Sequence, residues 1–377
     1  MQNPMHTALA LAQSALLLTS PNPRVGCVIA SLEGIVLGQG HTQKAGGPHA
    51  EIMALRDAAA HGHSVQGATV YVTLEPCAHQ GKTGPCCDAL VAAGIQTVVA
   101  AIADPNPKVA GQGFARLRAA GVAVIELEQS SPEAMAAREL NLGFFSRMVR
   151  KTPWIRLKTA ASLDGVTALH NHQSQWITSP AARADGHAWR ARACAVLTGI
   201  GTLLHDNPRL NVRLVPTPRQ PVRVIIDSRL QTPPDAQIFD SADGAEAAPV
   251  WIYTAISNPD PVRLTALLAR GANVTCLPHA ASGKVDIAAV MHDLARREIN
   301  ELHVEAGSAL NGALLQARLV DEFLVYLAPR FLGSGRGMAD FGPLQQIADG
   351  MNLEFVSVDR IGPDLRVVAR VQGRDVF

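Results

Sequence analysis

The chain has 377 residues, 47% of them hydrophobic and 4% aromatic, and its 33 Lys and Arg against 32 Asp and Glu leave a formal charge of +1. At about 100–200 residues per domain, this length predicts two folded domains with sizeable cores and excludes a disordered chain. The balanced charge gives no electrostatic drive toward nucleic acid or an anionic membrane, and so few aromatic rings leave little on which to stack single-stranded bases.

The first apolar run, Ala8 to Leu18, has the length of a signal-peptide core. It has no preceding Lys or Arg and is interrupted by Gln13 and Ser14, so it reads as an amphipathic helix over about Met5 to Leu18. Ser20-Pro21-Asn22-Pro23 is a turn. A strand over Val25 to Ser31, a turn at Glu33-Gly34 and a strand over Ile35 to Gly38 form a hairpin. Gly46-Gly47-Pro48 opens a helix through about Ala60, and Ala68 to Leu74 is a β-rich strand. Pro85 opens a helix that stops at Gly94, and Thr97 to Ala103 is a further strand. Helix–strand alternation after a hairpin predicts a layered α/β domain.

Pro132 to Val149 reads as one helix, and Arg150-Lys151-Thr152-Pro153 as the boundary between domains spanning 1–149 and 150–377. The second domain is again α/β. Its predicted strands include 154–159, 195–199, 222–227, 250–253, 302–305 and 323–328; its predicted helices lie near 180–193, 261–270, 285–297 and 308–317. No stretch is long and uninterrupted enough in apolar residues to span a bilayer.

Cysteines occur at 27, 77, 86, 87, 194 and 276, too sparsely for a disulfide framework. The cluster Cys77, Cys86 and Cys87 reads as metal chemistry in a reducing compartment, by default the cytoplasm. Three pieces combine: His49-Ala50-Glu51, Glu75-Pro76-Cys77 and Pro85-Cys86. One His and two Cys give a catalytic zinc its three protein ligands and leave the fourth position for water. Glu51, two residues beyond His49, does not share its helical face, so it is placed to meet the water as an acid/base group. His49 and Cys86 each follow a Pro at a helix start, where the helix dipole favours a thiolate. Each fragment alone is a weak signal; their order and placement at element junctions carry the reading. His79 and Cys87 are conceivable substitute ligands. Cys86 is preferred because it directly follows Pro85, whereas Cys87 points about 100° around the helix.

The series PNPRVGCVIA (21–30), AGGPHAE (45–51), YVTLEPCAHQGKTGPCCDAL (71–90) and ADPNPKVAGQG (103–113) resembles the bifunctional deaminase-reductases of riboflavin biosynthesis, whose motif carries the same long Cys-x8-Cys spacing. The second half continues the resemblance in RLKTAASLDGVTA (156–168), SQWITSP (174–180), HDNPRLNVR (205–213), RVIIDS (223–228), HVEAGSALNGALL (303–315) and VDEFLVYLAPRFLG (320–333). The resemblance implies a cytidine-deaminase-like three-layer domain followed by a dihydrofolate-reductase-like α/β domain. It implies zinc-dependent hydrolytic deamination of 2,5-diamino-6-(5-phosphoribosylamino)pyrimidin-4(3H)-one, then NADPH-dependent reduction of the ribosyl group to ribityl. Zn2+ would be held by His49, Cys77 and Cys86, with Glu51 catalytic and Asn22 touching substrate. In the second domain the family's NADP contacts fall on Ala160, Trp176, Thr202, Asp206, Ser228 and Gly307, and its substrate contacts on Ser174, Arg190, Leu210, Arg213 and Glu305. Arg190 and Arg213 suit a ribose phosphate, which guanidinium binds bidentately. Ser228 and Arg229 are candidates by position for reading the 2′-phosphate of NADPH. The absence of a Gly-x-Gly-x-x-Gly after a strand disfavours a Rossmann domain.

The implied partner is a small phosphoribosylaminopyrimidine, with neither nucleic acid nor membrane, in a homo-oligomer. Rival readings are a nucleic-acid deaminase fused to an unrelated reductase, disfavoured by charge and aromatic content, and a non-catalytic zinc-stapled protein, disfavoured because a structural site needs no Glu51. A chain with only one live site is a third.

Overall fold

The computed structural model describes residues 3–78, 84–106, 109–241 and 248–377. Backbone contacts divide the chain into two units, Met1–Lys151 together with Phe377, and Thr152–Val376.

The first unit opens with α1 (Pro4–Ser14), capped by the Asn3 side chain, which accepts from Met5 N at 3.0 Å. It stops short of Leu18, because Leu16 and Leu18 bond three residues back and wind the chain into tight turns. Strand β1 (Gly26–Ala30), buried throughout, pairs antiparallel with β2 (Val36–His41) around Gly34, whose φ of 81° favours glycine. Then come α2 (Ala50–Ala60), β3 (Thr69–Val72), α3 (Cys86–Ala92), β4 (Thr97–Ala100), α4 (Gln112–Ala119) and β5 (Ala123–Glu126). The sheet order is β2-β1-β3-β4-β5, antiparallel up to β3 and parallel beyond it. Glycines let the helices close on both faces. Gly26 leaves room for the α1 backbone at Ala8, and on the opposite face Gly38 and Gly40 leave room for α2 at Ala54. The unit is therefore a three-layer α/β/α structure.

The single helix expected over 132–149 is two, α5 (Pro132–Leu140) and α6 (Leu142–Val149). Asn141 breaks it at φ −119° and ψ 14°. Its side chain takes up the buried backbone of Arg24, accepting from Arg24 N at 2.8 Å and donating to Arg24 O at 3.0 Å.

The second unit comprises β6 (Trp154–Ser162), α7 (Pro180–Arg192), β7 (Ala195–Gly199), α8 (Ile200–Asp206), β8 (Val222–Ile226), β9 (Val250–Thr254), α9 (Pro261–Ala269), β10 (Ala272–Cys276), α10 (Ile287–Arg296), β11 (Glu301–Val304), α11 (Ser308–Gln316), β12 (Glu322–Ala328), β13 (Leu353–Ile361) and β14 (Asp364–Val371). Its described strands form one sheet in the order β10-β9-β8-β7-β11-β6-β12-β14-β13, parallel from β10 to β12 and antiparallel for the last two.

The register sorts the central strands into two chemistries. Ile155, Leu157, Leu302 and Val304 share one face and pack with residues of α10 and α11. The opposite face carries Arg156, Lys158 and Ala160 of β6 beside Glu301 and His303 of β11 and Glu322, Leu324 and Tyr326 of β12. That face lies against α7, through Ala182 and Trp189. Buried charge is tolerated there because it is paired: Arg156 donates to Glu322 and Glu301, and its guanidinium lies 4.4 Å from the Trp189 ring centre.

Candidate active sites

In the first unit three element ends meet. His49 is the N-cap residue of α2, Cys86 is the first residue of α3, and Cys77 follows β3. The Cys86 and Cys77 sulfurs lie 3.4 and 3.6 Å from His49 Nδ1, and all three ligand atoms fall within 4.8 Å of one another. Four ligands in a tetrahedron around zinc, with bonds of about 2.0–2.3 Å, sit roughly 3.5 Å apart, so this donor set fits the metal in chemistry and in spacing.

The electrostatics agree. Cys77 is brought down to about 4 by Cys86, against burial and with help from His49. Cys86 is pushed up by the neighbouring Cys77 and by burial, the crowding of two sulfurs that a bound cation relieves. Glu51, in the first turn of α2, is buried; burial and the Cys77 charge raise its carboxyl to about 7. A carboxyl so tuned holds or releases a proton near neutrality.

Cys87 is turned away from the cluster. Its thiol donates to Pro76 O at 3.1 Å, and burial with the Cys77 charge pushes it up to about 12. His79 lies outside the described residues. Asn22 sits in a turn with its backbone N–H on Thr19 O, and its side chain bonds to nothing among the described residues.

The sequence reading gave Glu75 no role of its own, yet its buried carboxylate organises the loop behind Cys77. It accepts from Asp104 N, Gly111 N, Gly113 N and Phe114 N at 2.9–3.3 Å, closing the otherwise uncapped N-terminus of α4. Gly113 is required by closeness: a Cβ there would stand 2.0 Å from Pro76 O.

In the second unit a cavity of about 720 Å³ opens beside β6, Gly199 at the end of β7, and the residues after β11. Ala160, Trp176, Thr202, Asp206, Gly307 and Ser174 all line it, as does Glu305. Gly307 is the N-cap of α11 and offers no side-chain cap, so the first backbone N–H groups of that helix are available to an anion. A second cavity of about 340 Å³ shares Lys158, Trp176 and Glu305 with the first and adds Arg190, Arg213 and His187. The Arg190 guanidinium grips the Glu305 carboxylate at 2.8 and 3.0 Å.

Two further expected contacts are not among the residues that line these cavities. Ser228 lines neither cavity; its hydroxyl accepts from Val285 N at 3.1 Å. Leu210 is buried and also lines neither. Conversely, Lys158 lines both cavities without having been singled out, its amine 4.0 Å from Glu305. Period-two alternation from Arg156 through Ala160 was the available signal. Arg183 was also missed; its guanidinium lies 4.4 Å from the Trp176 ring centre and donates to Thr178 O.

Residues 1–102 match the family described as the cytidine and deoxycytidylate deaminase zinc-binding region, and residues 153–367 match the RibD C-terminal domain. The riboflavin biosynthesis protein RibD of Escherichia coli K12 is 43% identical over 380 residues, 96% of each chain. That of Haemophilus influenzae is 39% identical, covering 98% of this chain and 97% of its own. The solved structure of Acinetobacter baumannii RibD superposes with a TM-score of 0.85 at 37% identity, over 98% of both chains. A Thermotoga maritima structure, described as a diaminohydroxyphosphoribosylaminopyrimidine deaminase/5-amino-6-(5-phosphoribosylamino)uracil reductase, gives 0.83 at 32% identity, over 98% of this chain and 97% of its own.

Proposed function

The chain belongs to the RibD family of riboflavin-biosynthesis enzymes, and from that premise we propose which of its residues carry each of the family's two reactions. It is a bifunctional deaminase and reductase that uses zinc and NADPH.

Deamination is assigned to residues 1–149 and reduction to 150–377. The deaminase substrate is 2,5-diamino-6-(5-phosphoribosylamino)pyrimidin-4(3H)-one. His49, Cys77 and Cys86 hold the zinc, which when bound supplies a water activated for attack near neutral pH. Glu51 would take one proton of that water and give it to the ring nitrogen, then take the remaining proton of the hydroxyl added to the ring carbon and pass it to the departing amine, so that water and the ring C–NH2 become C=O and ammonia. Burial of Glu51 supports this, since the proton is passed out of contact with bulk water. Asn22 is assigned as a substrate contact on the resemblance alone.

For the reductase, Ala160, Trp176, Thr202, Asp206 and Gly307 are assigned to NADPH, which supplies the hydride. Ser174, Arg190, Arg213 and Glu305 are assigned to the phosphoribosyl substrate. The larger cavity and the open start of α11 support the first set; two arginines beside the smaller cavity support the second. Ser228 is assigned to NADPH and Leu210 to the substrate on the resemblance alone.

The substrate is a small molecule, and the neutral charge favours no nucleic acid partner. No helix among the described residues is long and apolar enough to cross a membrane. We place the enzyme in the cytoplasm, as a homo-oligomer. The observation that carries the reading is the convergence of His49, Cys77 and Cys86 with Glu51 buried beside them. The test is one preparation given the diaminopyrimidine and NADPH: ammonia release must precede NADPH oxidation, and NADPH oxidation without prior ammonia release refutes the sequence of reactions.

A further inference from the structure

Helix α7 presents Arg183, His187 and Arg190 along one side of the smaller cavity, at spacings of four and three residues. Arg190 is committed to Glu305 and to Asn211 O. His187 is buried, and its Nδ1 lies 3.1 Å from the backbone N of Arg213. A backbone N–H can only donate, so Nδ1 carries the lone pair and the ring proton sits on Nε2. Nε2 has no hydrogen-bond partner among the described residues, and it is not one of the sealed polar atoms of the unit.

From this geometry, and resting on the assignment of this cavity to the phosphoribosyl substrate, we infer that His187 is a substrate-binding residue, a neutral Nε2–H donor to an anionic oxygen of that substrate. A charged imidazolium is excluded by the same contact, because an Nδ1–H would face the Arg213 N–H. The surroundings act in the same direction. Burial, Arg190, Arg213 and Lys158 push the imidazole down to about 3, against the pull of Glu305. The cavity thus offers an anion both full charges and one neutral, directed donor. His187 also fixes the segment that carries Arg213, together with Gln220, which bonds both the N–H and the C=O of Val212.

Two substitutions separate the two ends of the ring. In His187→Asn the amide oxygen takes the place of Nδ1, so the Arg213 N–H keeps an acceptor and the distal donor is lost. In His187→Gln the amide nitrogen reaches the place of Nε2, so the donor is kept and the acceptor lost. The full chain is assayed by NADPH oxidation with the deaminated pyrimidine, and KM is measured for each substrate. His187→Asn is expected to raise the pyrimidine KM about ten- to a hundredfold, as for one hydrogen bond to a charged group, with the NADPH KM unchanged and His187→Gln nearer wild type. A wild-type pyrimidine KM in His187→Asn, an equal rise in both KM values, or His187→Gln the worse of the two overturns the inference. Arg213→Ala tests the assignment beneath it. If that variant leaves the pyrimidine KM unchanged, the cavity is not the substrate's; if it raises KM while His187→Asn does not, only the role of His187 falls.

Discussion

Glu305 and Arg190 meet side-on, with Oε1 2.8 Å from Nε and Oε2 3.0 Å from Nη2. Burial alone would raise the Glu305 carboxyl, but Arg190, His303 and Lys158 outweigh it and hold the group well below the usual carboxylate range. A group lowered on folding contributes stability that is fully present above its unfolded pKa, near 4.5, and is lost as pH falls through the folded value. Glu305→Gln, which strands the guanidinium, is expected to cost ~3–5 kcal/mol near pH 7. The gap to wild type should narrow progressively below pH 4.5. Denaturant unfolding at several pH values checks this, and a gap independent of pH contradicts it.

Glu51→Gln preserves shape and removes the proton carrier. Ammonia release is expected to fall by at least ~10²–10⁴. NADPH oxidation with the deaminated pyrimidine should remain at the wild-type rate, because no residue assigned to reduction lies before position 150. Retained deamination, or loss of both activities in a folded variant, would count against the assignment.

Cys86→Ser replaces a soft thiolate with a hydroxyl that stays protonated near neutrality. Elemental analysis should find about one zinc per wild-type chain and markedly less in the variant after dialysis against a chelator. Cys87→Ser, whose parent thiol is bonded to Pro76 O, should retain the metal. Equal zinc in wild type and Cys86→Ser would mean that another group is the ligand.

Glu75→Gln turns a carboxylate that accepts four backbone N–H groups into an amide with one accepting end. Whichever end becomes the amide nitrogen, two buried donors lose their acceptor, which is expected to lower stability by roughly 2–6 kcal/mol. The pyrimidine and NADPH KM values of the reductase should not change. An unaltered unfolding midpoint would show that the loop holds itself.

The zinc constellation was legible because each of its members sits at a junction that Pro, Gly and strand-forming residues mark in the sequence. Buried strands such as β7 and β12 were legible for the same reason that they are buried: uninterrupted apolar runs. What escaped was structure held by distant partners. Helix α4 begins without a capping side chain of its own and depends on Glu75, 37 residues earlier. Strand β13 contains strand formers in Phe355, Val356, Val358 and Ile361, but Glu354, Asp359 and Arg360 interrupt them and most of the strand is exposed, so it lacks the apolar run that marks a buried strand. Asn141 looked like one more residue in a long helix, because its partner, Arg24, is more than a hundred positions away. The substrate side of the second unit was only partly legible. Arg190 and Arg213 were carried over by motif, whereas the bond from Arg213 N to His187 needs the fold to exist.

The 2.0 Å that would separate a Gly113 Cβ from Pro76 O also fixes how a saturation screen of this enzyme will look. Scored by deaminase output alone, position 113 should tolerate no side chain, and it would be ranked beside position 51 as if it took part in the chemistry. The two are told apart by temperature. Survivors at 113, if any arise, should regain output when grown cool or when a second mutation elsewhere restores the fold, whereas no such suppressor can return a proton carrier to position 51.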